Sequence, residues 1–258
     1  MIVLAVGCHP DDIEFMMGGT LLHFKDGGCA LHYLNIANGS CGTARHEKAE
    51  IVRIRREEAR RAAEILGAEY HESLADDLNV YFTRPLVGKV AAVMRQVQPD
   101  VVLTLSLEDY MEDHMAAARI AVTAAFVRGM RNFETDPPTP PFAKNVAIYH
   151  ALPYGLREMM GREVEAEFFV DVGGVIERKV ELLGKHESQR DWLDKSQGLG
   201  SYLATMREMA RTVGKKSGKF DYAEGWRRHN PLGYGPAGAD PLRRKLAGLC
   251  EPPGPALR

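Results

Sequence analysis

The 258-residue chain has few cysteines, no excess of charge of either sign and no long apolar run, and each absence removes a class of protein. Its four cysteines, Cys8, Cys29, Cys41 and Cys250, form no CxxC pair and no disulfide framework, which suits a reducing compartment. No segment approaches the ~20 consecutive apolar residues that span a bilayer. Met1-Ile2-Val3-Leu4 enters a strand-like run without the basic flank and small-residue cleavage site of a secretory leader, so the expectation is a cytoplasmic protein with no membrane span. With 33 Lys plus Arg against 35 Asp plus Glu, the formal net charge is -2, and nothing marks a nucleic-acid binder. One local asymmetry exists: 11 of the basic and 5 of the acidic residues fall after residue 205, and without interleaved aromatics this stretch reads as surface or subunit contact.

What is present is ordinary apolar material, 45% hydrophobic against 26% charged, enough for one full core. Strand-like and helix-like segments alternate. Strands are expected at Ile2 to Gly7, Ala30 to Ile36, Ala68 to Ser73, Val101 to Leu105, Val146 to Ala151 and Phe168 to Val172. Helices are expected at Thr20 to Phe24, Glu47 to Leu66, Arg84 to Gln98, His114 to Met130, Ile176 to His186 and Tyr202 to Thr212. Such alternation predicts an α/β fold, a Rossmann-like doubly wound, mostly parallel sheet flanked by helices, with functional loops at the carboxyl ends of the strands. Asp136 to Pro141, with four prolines, can only be a loop.

Two polar clusters fall at such strand ends. The first strand runs into Cys8-His9-Pro10-Asp11-Asp12, and the strongest later strand runs into Glu108-Asp109-Tyr110-Met111-Glu112-Asp113-His114. In a parallel sheet both lie on one rim. Two histidines and a carboxylate make a three-ligand set for a divalent metal with a position left open, and imidazole with carboxylate suits zinc, although other transition metals accept the same ligands. Adjacent Asp11 and Asp12 point in different directions, so one can bind metal while the other takes a proton from water. The bland reading makes Asp12 a cap for the following segment and Asp113 the N-cap of the next helix, a position from which it can also orient a nearby ring. Cys8 reads as a small buried residue. In the first turn, where a nucleotide-binding fold needs Gly-x-Gly-x-x-Gly, this chain has His9-Pro10-Asp11-Asp12.

Several separated motifs together resemble the PIG-L/LmbE-like metal-dependent deacetylases, a family that includes sugar N-deacetylases of thiol-cofactor and glycolipid biosynthesis. They are His9-Pro10-Asp11-Asp12 with Gly18-Gly19-Thr20, Arg55-Arg56-Glu57-Glu58 through Ile65-Leu66-Gly67, Asp113-His114, Lys179 through Glu187-Ser188-Gln189, and Tyr222-Ala223-Glu224-Gly225. The resemblance spans residues 1 to 226 and implies a deacetylase domain there, with residues 227–258 as an extension packing on it or on a neighbouring subunit. It further implies His9, Asp12 and His114 as ligands of zinc, Asp11 as general base, Arg55 as a substrate contact, an acetylated amino-sugar substrate, and a trimer or hexamer. From the residues alone, Arg55 reads as part of a solvated helix face among Arg53, Arg56, Arg60 and Arg61.

One position departs from the family. Its second metal motif usually reads His-x-Asp-His, and here Met111 stands first, a side chain that can neither give nor take a proton. His186, just before Glu187-Ser188-Gln189, is the candidate replacement, with a helix-end role as the rival reading; Glu112 and Tyr110 are further substitutes. Asn38, opening the loop Asn38 to Thr43, is a candidate for binding substrate hydroxyls, and Asp76 and Asp77 are further rim candidates. Trp192, Tyr202 and Trp226 read as packing residues. The expected activity is zinc-dependent removal of an N-acetyl group from an N-acetylglucosamine-type sugar. Hydrolysis of another amide or acyl linkage, or metal-retaining sugar binding without catalysis, remain as alternatives that Met111 motivates.

Overall fold

A computed structural model describes residues 1–196 and 202–252, and its eight described strands form one mixed sheet. β1 (Ile2–Gly7), β2 (Ala30–Asn35), β3 (Ala68–His71), β4 (Val101–Thr104) and β5 (Ala147–Ala151) pair in parallel in the order β3-β2-β1-β4-β5. The chain leaves β1 toward β2 on one side and returns to place β4 on the other, so the order reverses between β1 and β4. A crevice opens at the carboxyl ends of strands where such a reversal occurs. Both strands are buried Val/Leu-rich runs without polar alternation, because helices cover both their faces.

β7 (Ala223–Arg228), β6 (Phe168–Asp171) and β8 (Cys250–Glu251) extend the sheet beyond β5, each pairing antiparallel with its neighbour. β7 is absent from the sequence expectation. Its run Ala-Glu-Gly-Trp-Arg-Arg lacks a strand's apolar alternation because the inward Glu224 is neutralised by a partner rather than replaced by an apolar residue. Lys179 Nζ lies 2.6 Å from Glu224 Oε1, and both side chains are almost wholly buried. The same carboxylate accepts hydrogen bonds from the Gly19 and Thr20 amides and the Thr20 hydroxyl, and Trp226 Nε1 donates to that hydroxyl.

The helices are α1 (Asp12–Asp26), α2 (Lys48–Leu66), α3 (Arg84–Val97), α4 (Glu112–Phe126), α5 (Ile176–Leu183), α6 (Glu187–Ser196), α7 (Tyr202–Ser217) and the short α8 (Pro241–Lys245). α1 begins eight residues before the expected start at Thr20. Gly18-Gly19 look like breakers, yet they are there for close approach: a Cβ on Gly19 would come within 2.5 Å of Val172 Cγ1, and one on Gly18 within 3.2 Å of Leu182 Cδ2. α5 stops at Leu183, three residues short of expectation, so His186 occupies the turn before α6. Arg55, on α2, is buried rather than solvated, whereas Arg56 and Arg60 do pair with Glu72 at the surface.

β7 runs through residue 226, and the segment after it is tied to the same core. Tyr149 donates its hydroxyl to Asp240, and the Tyr234 carbonyl accepts hydrogen bonds from the Val146 amide and the Arg128 guanidinium. Residues 253–258 of the expected extension lie outside the described residues. No helix among those described is long and apolar enough to cross a membrane.

Candidate active site

β1 delivers the first cluster and α1 fixes it. Asp12 Oδ2 accepts the backbone amides of Cys8 at 3.0 Å and His9 at 2.7 Å, so it ties back the turn that precedes it rather than capping the following segment as the sequence suggested; α1 has no side-chain cap at its N-terminus. Its other oxygen, Oδ1, faces His114 Nε2 at 3.3 Å. One carboxylate thus locks the turn and joins the cluster delivered by β4. Asp11, directly before α1, adopts φ 124°, a left-handed conformation that strains any residue with a Cβ.

Each histidine is oriented by its own carboxylate. His9 Nε2 lies 3.1 Å from Asp113 Oδ2, which also accepts the Leu78 amide at 2.7 Å, and His114 Nδ1 lies 3.2 Å from Asp109 Oδ1. With those nitrogens carrying the protons, His9 Nδ1 and His114 Nε2 are left to face Asp12, at 3.7 Å and 3.3 Å. A carboxylate behind each imidazole is the arrangement that fixes tautomer and aim in metal sites. Asp113 is not the N-cap of α4, as the sequence suggested. Met111 holds that position, and the Asp113 carboxylate is occupied by Leu78 and His9. Asp109 was missed as an orienting residue; its only signal was a carboxylate at the turn two residues before Met111, whose amide it accepts at 3.0 Å.

The electrostatics ask for a cation. Four carboxylates, Asp11, Asp12, Asp109 and Asp113, are buried within this cluster, and Asp109 Oδ2 has no hydrogen-bond partner among the described residues. Burial pushes the Asp12 carboxyl upward, but the His114 and His9 imidazoles outweigh it and hold it far below the usual carboxylate range. Burial likewise opposes charge on His114, yet Asp12 and Asp109 raise its pKa well above the ordinary imidazole value. The anionic surroundings that hold a proton there would also hold a metal ion. His9, Asp12 and His114 therefore fit a three-ligand divalent site, with no protein thiol needed. Cys8, buried and 3.7 Å from His9 Nε2, has its thiol pKa pushed well up by burial and the surrounding carboxylates.

Asp11 stands beside this set. Tyr202 donates its hydroxyl to Asp11 Oδ2 at 2.7 Å, and Arg55 Nη2 lies 3.3 Å from Oδ1 while also donating to the Pro10 carbonyl. Burial raises the Asp11 pKa above the usual carboxylate value, against the pull of Arg55 and Tyr202. The close packing of Arg55 explains Gly39: with φ 79°, it leaves no room for a Cβ, which would meet Arg55 Cδ at 2.3 Å.

A cavity of about 220 Å³ opens over the cluster. His9, Asp11, Asp12 and His114 form its floor; Arg55, Asp77, Gly42 and Gln189 line one side; Phe15, Tyr110, Tyr154, Trp192 and Tyr202 supply an aromatic wall. Trp192 lines the cavity; Tyr202 lines it too while packing in the core as expected, and Trp226 is wholly core. Three expected site residues, Asn38, His186 and Asp113, are outside the lining, and Asp113 acts only behind His9. Asn38 donates to Asp76 and accepts the Ser40 amide, bracing the loop whose Cys41 and Gly42 do reach the cavity, and Asp77 holds that loop through the Gly39 and Cys41 amides. Asp76 faces outward, paired with Lys48. His186 is fully buried, with Nε2 3.2 Å from Glu14 Oε1, so it cannot touch a bound substrate in Met111's stead. Its helix-break position points the ring into the core behind Asp11 rather than into the opening.

Comparison with known proteins gives the family. The family described as PIG-L, GlcNAc-PI de-N-acetylase, matches residues 4–125. The chain is 31% identical over 236 residues to a diacetylchitobiose deacetylase of Thermococcus kodakarensis, covering 87% of this chain and 82% of that protein. Among solved structures, an N,N'-diacetylchitobiose deacetylase of Pyrococcus horikoshii superimposes with a TM-score of 0.73 at 24% identity, covering 93% and 88% of the two chains. A 4-carboxy-2-hydroxymuconate hydratase of Pseudomonas putida superimposes with a TM-score of 0.70 at 25% identity, covering 88% and 95%.

Proposed function

The chain belongs to the PIG-L/LmbE-like family of N-deacetylases, and from that premise we propose that it removes the acetyl group from an N-acetylglucosamine-type sugar or sugar conjugate, with zinc held by His9, Asp12 and His114. The observation that carries this reading is the convergence of two carboxylate-backed imidazoles and Asp12 on a cavity floor that Asp11 also lines. A zinc ion held by these residues would supply Lewis acidity, which lowers the pKa of a bound water toward about 7 and polarises an amide carbonyl.

Asp11 accepts the proton of the attacking water. Its raised pKa makes it a better base than an ordinary carboxylate and, once protonated, a competent donor to the leaving amine. One side chain thereby serves in both directions, which removes the need for a histidine at position 111. Tyr110, adjacent to Met111 in the chain and set edge-on to the His114 ring at 5.8 Å, has its phenol pKa raised by burial and by nearby carboxylates. It stays protonated and can donate to the acyl oxygen or to a sugar hydroxyl. The aromatic wall offers flat apolar faces for the sugar ring.

The hydratase likeness favours a second reading, water addition to an unsaturated dicarboxylate. Charge argues against it. Among the described residues, the only Lys or Arg lining the cavity is Arg55, and Asp11 already engages it. A neutral amino sugar suits this lining better than a dianion. The test is acetate release from N-acetylglucosamine and its disaccharide by the zinc-loaded chain and by Asp11→Asn. Loss of at least about a hundredfold with metal retained is expected; full activity of the variant would overturn the mechanism.

A further inference from the structure

Away from the cavity, a second set of ligand-grade side chains stands together on the edge strands. β2 and β3 run parallel with His32 level with Glu69 and Leu34 level with His71. Alternate residues of a strand share a face, so His32, Glu69 and His71 rise on the same side of the pair. His32 Nδ1 lies 3.1 Å from His71 Nε2 and 3.6 Å from Glu69 Oε2, and one donor atom from each of the three lies within 4.8 Å of the other two.

Those separations match a coordination sphere. Metal–ligand bonds of about 2.0–2.2 Å at tetrahedral angles put neighbouring donor atoms roughly 3.3–3.5 Å apart, a spacing that the two closest pairs bracket. We propose that His32, Glu69 and His71 form a second site for a divalent transition metal, with water completing the sphere. Two imidazoles and one carboxylate select zinc, nickel, cobalt or copper over magnesium and calcium.

Two further observations fit. Burial holds both imidazoles below the ordinary histidine range, so at neutral pH both are uncharged and carry a free lone pair. Glu69 is 69% exposed, which gives an ion a path from solvent. None of the three residues lines the cavity, and His32 lies in the middle of β2 rather than at its carboxyl end. The bound ion would cross-link β3, a four-residue edge strand, to β2. A simple imidazole–imidazole hydrogen bond is the rival account of the 3.1 Å contact.

The test counts zinc bound by the chelator-stripped full chain after free metal is removed. The expected result is two equivalents in the unsubstituted chain and one in His71→Gln, with deacetylation unchanged. Glu69→Gln, at an exposed position that leaves the fold intact, should bind the second equivalent more weakly. His9→Ala should lose the cavity equivalent and keep the edge-strand one, so failure of the catalytic reading and failure of the edge site give different counts. The proposal is overturned if the unsubstituted chain binds a single equivalent that His9→Ala abolishes. It is equally overturned if a second equivalent survives both His71→Gln and Glu69→Gln undiminished.

Discussion

The Tyr202 hydroxyl donates to Asp11 Oδ2 at 2.7 Å, joining the head of α7 to the residue that opens α1 across 191 positions of sequence. Burial, and then the Asp11 charge, raise the tyrosine's pKa well above its ordinary value, so it is a permanent donor. The bond lowers the Asp11 pKa, and removing it lets burial push that pKa higher. Tyr202→Phe should therefore move the acidic limb of the rate profile to higher pH and reduce turnover by about ten- to a hundredfold, the range for a hydrogen bond to a charged group. Steady-state kinetics across pH with zinc content held constant would check it; an unshifted limb would show that the phenol only packs.

Asp109 offers a separate test, because it touches His114 and the Met111 amide but does not line the cavity. Asp109→Asn keeps the shape and removes the charge that fixes the His114 tautomer. Zinc affinity or activity should fall about 10- to 100-fold, as for other carboxylates behind metal-bound imidazoles. Competition with a chelator of known affinity reads the first quantity directly.

The cavity floor was legible in the sequence because its residues sit at the ends of apolar runs, and a parallel sheet puts such ends on one rim. Asp109 was hidden among four acidic residues in seven, a composition that reads as a solvated loop. Asn38 and His186 were misplaced for a different reason. Asn38 follows a strand end and His186 was placed by its motif position before Glu187, yet only side-chain direction separates a residue that lines the opening from one that braces a loop or enters the core. The strand β7 escaped because Lys179, 45 residues away, supplies the partner that lets Glu224 sit where an apolar residue is expected.

That pair is a stability hinge. Lys179→Met should leave the buried Glu224 carboxylate facing only the Gly19 amide, the Thr20 amide and the Thr20 hydroxyl. Removing one partner of a buried ion pair costs about 3–5 kcal/mol. Urea denaturation should show a loss of that size, with the slope unchanged.

His150 sets a pH dependence outside the active site. Burial, reinforced by nearby His229 and Arg227, pushes its pKa down to about 4 although the Leu105 carbonyl accepts its Nδ1 proton. The folded state thus holds it neutral while the unfolded chain protonates near 6.5, so stability is full above that value and is lost as pH falls toward 4. The shift corresponds to roughly 3 kcal/mol. His150→Gln should flatten this part of the stability profile relative to the unsubstituted chain, as read by urea midpoints at successive pH values.

The φ of 124° at Asp11 sets the needs of chemistry against those of folding. A strained backbone of this kind costs on the order of 1–3 kcal/mol, and glycine would relieve it. A lineage freed from the need to hydrolyse would therefore drift toward glycine at position 11, and would have to replace the Arg55 counter-charge along the way. Sequences carrying Gly at this position together with an uncharged residue at 55 would identify, from two letters, descendants that kept the fold and abandoned the reaction.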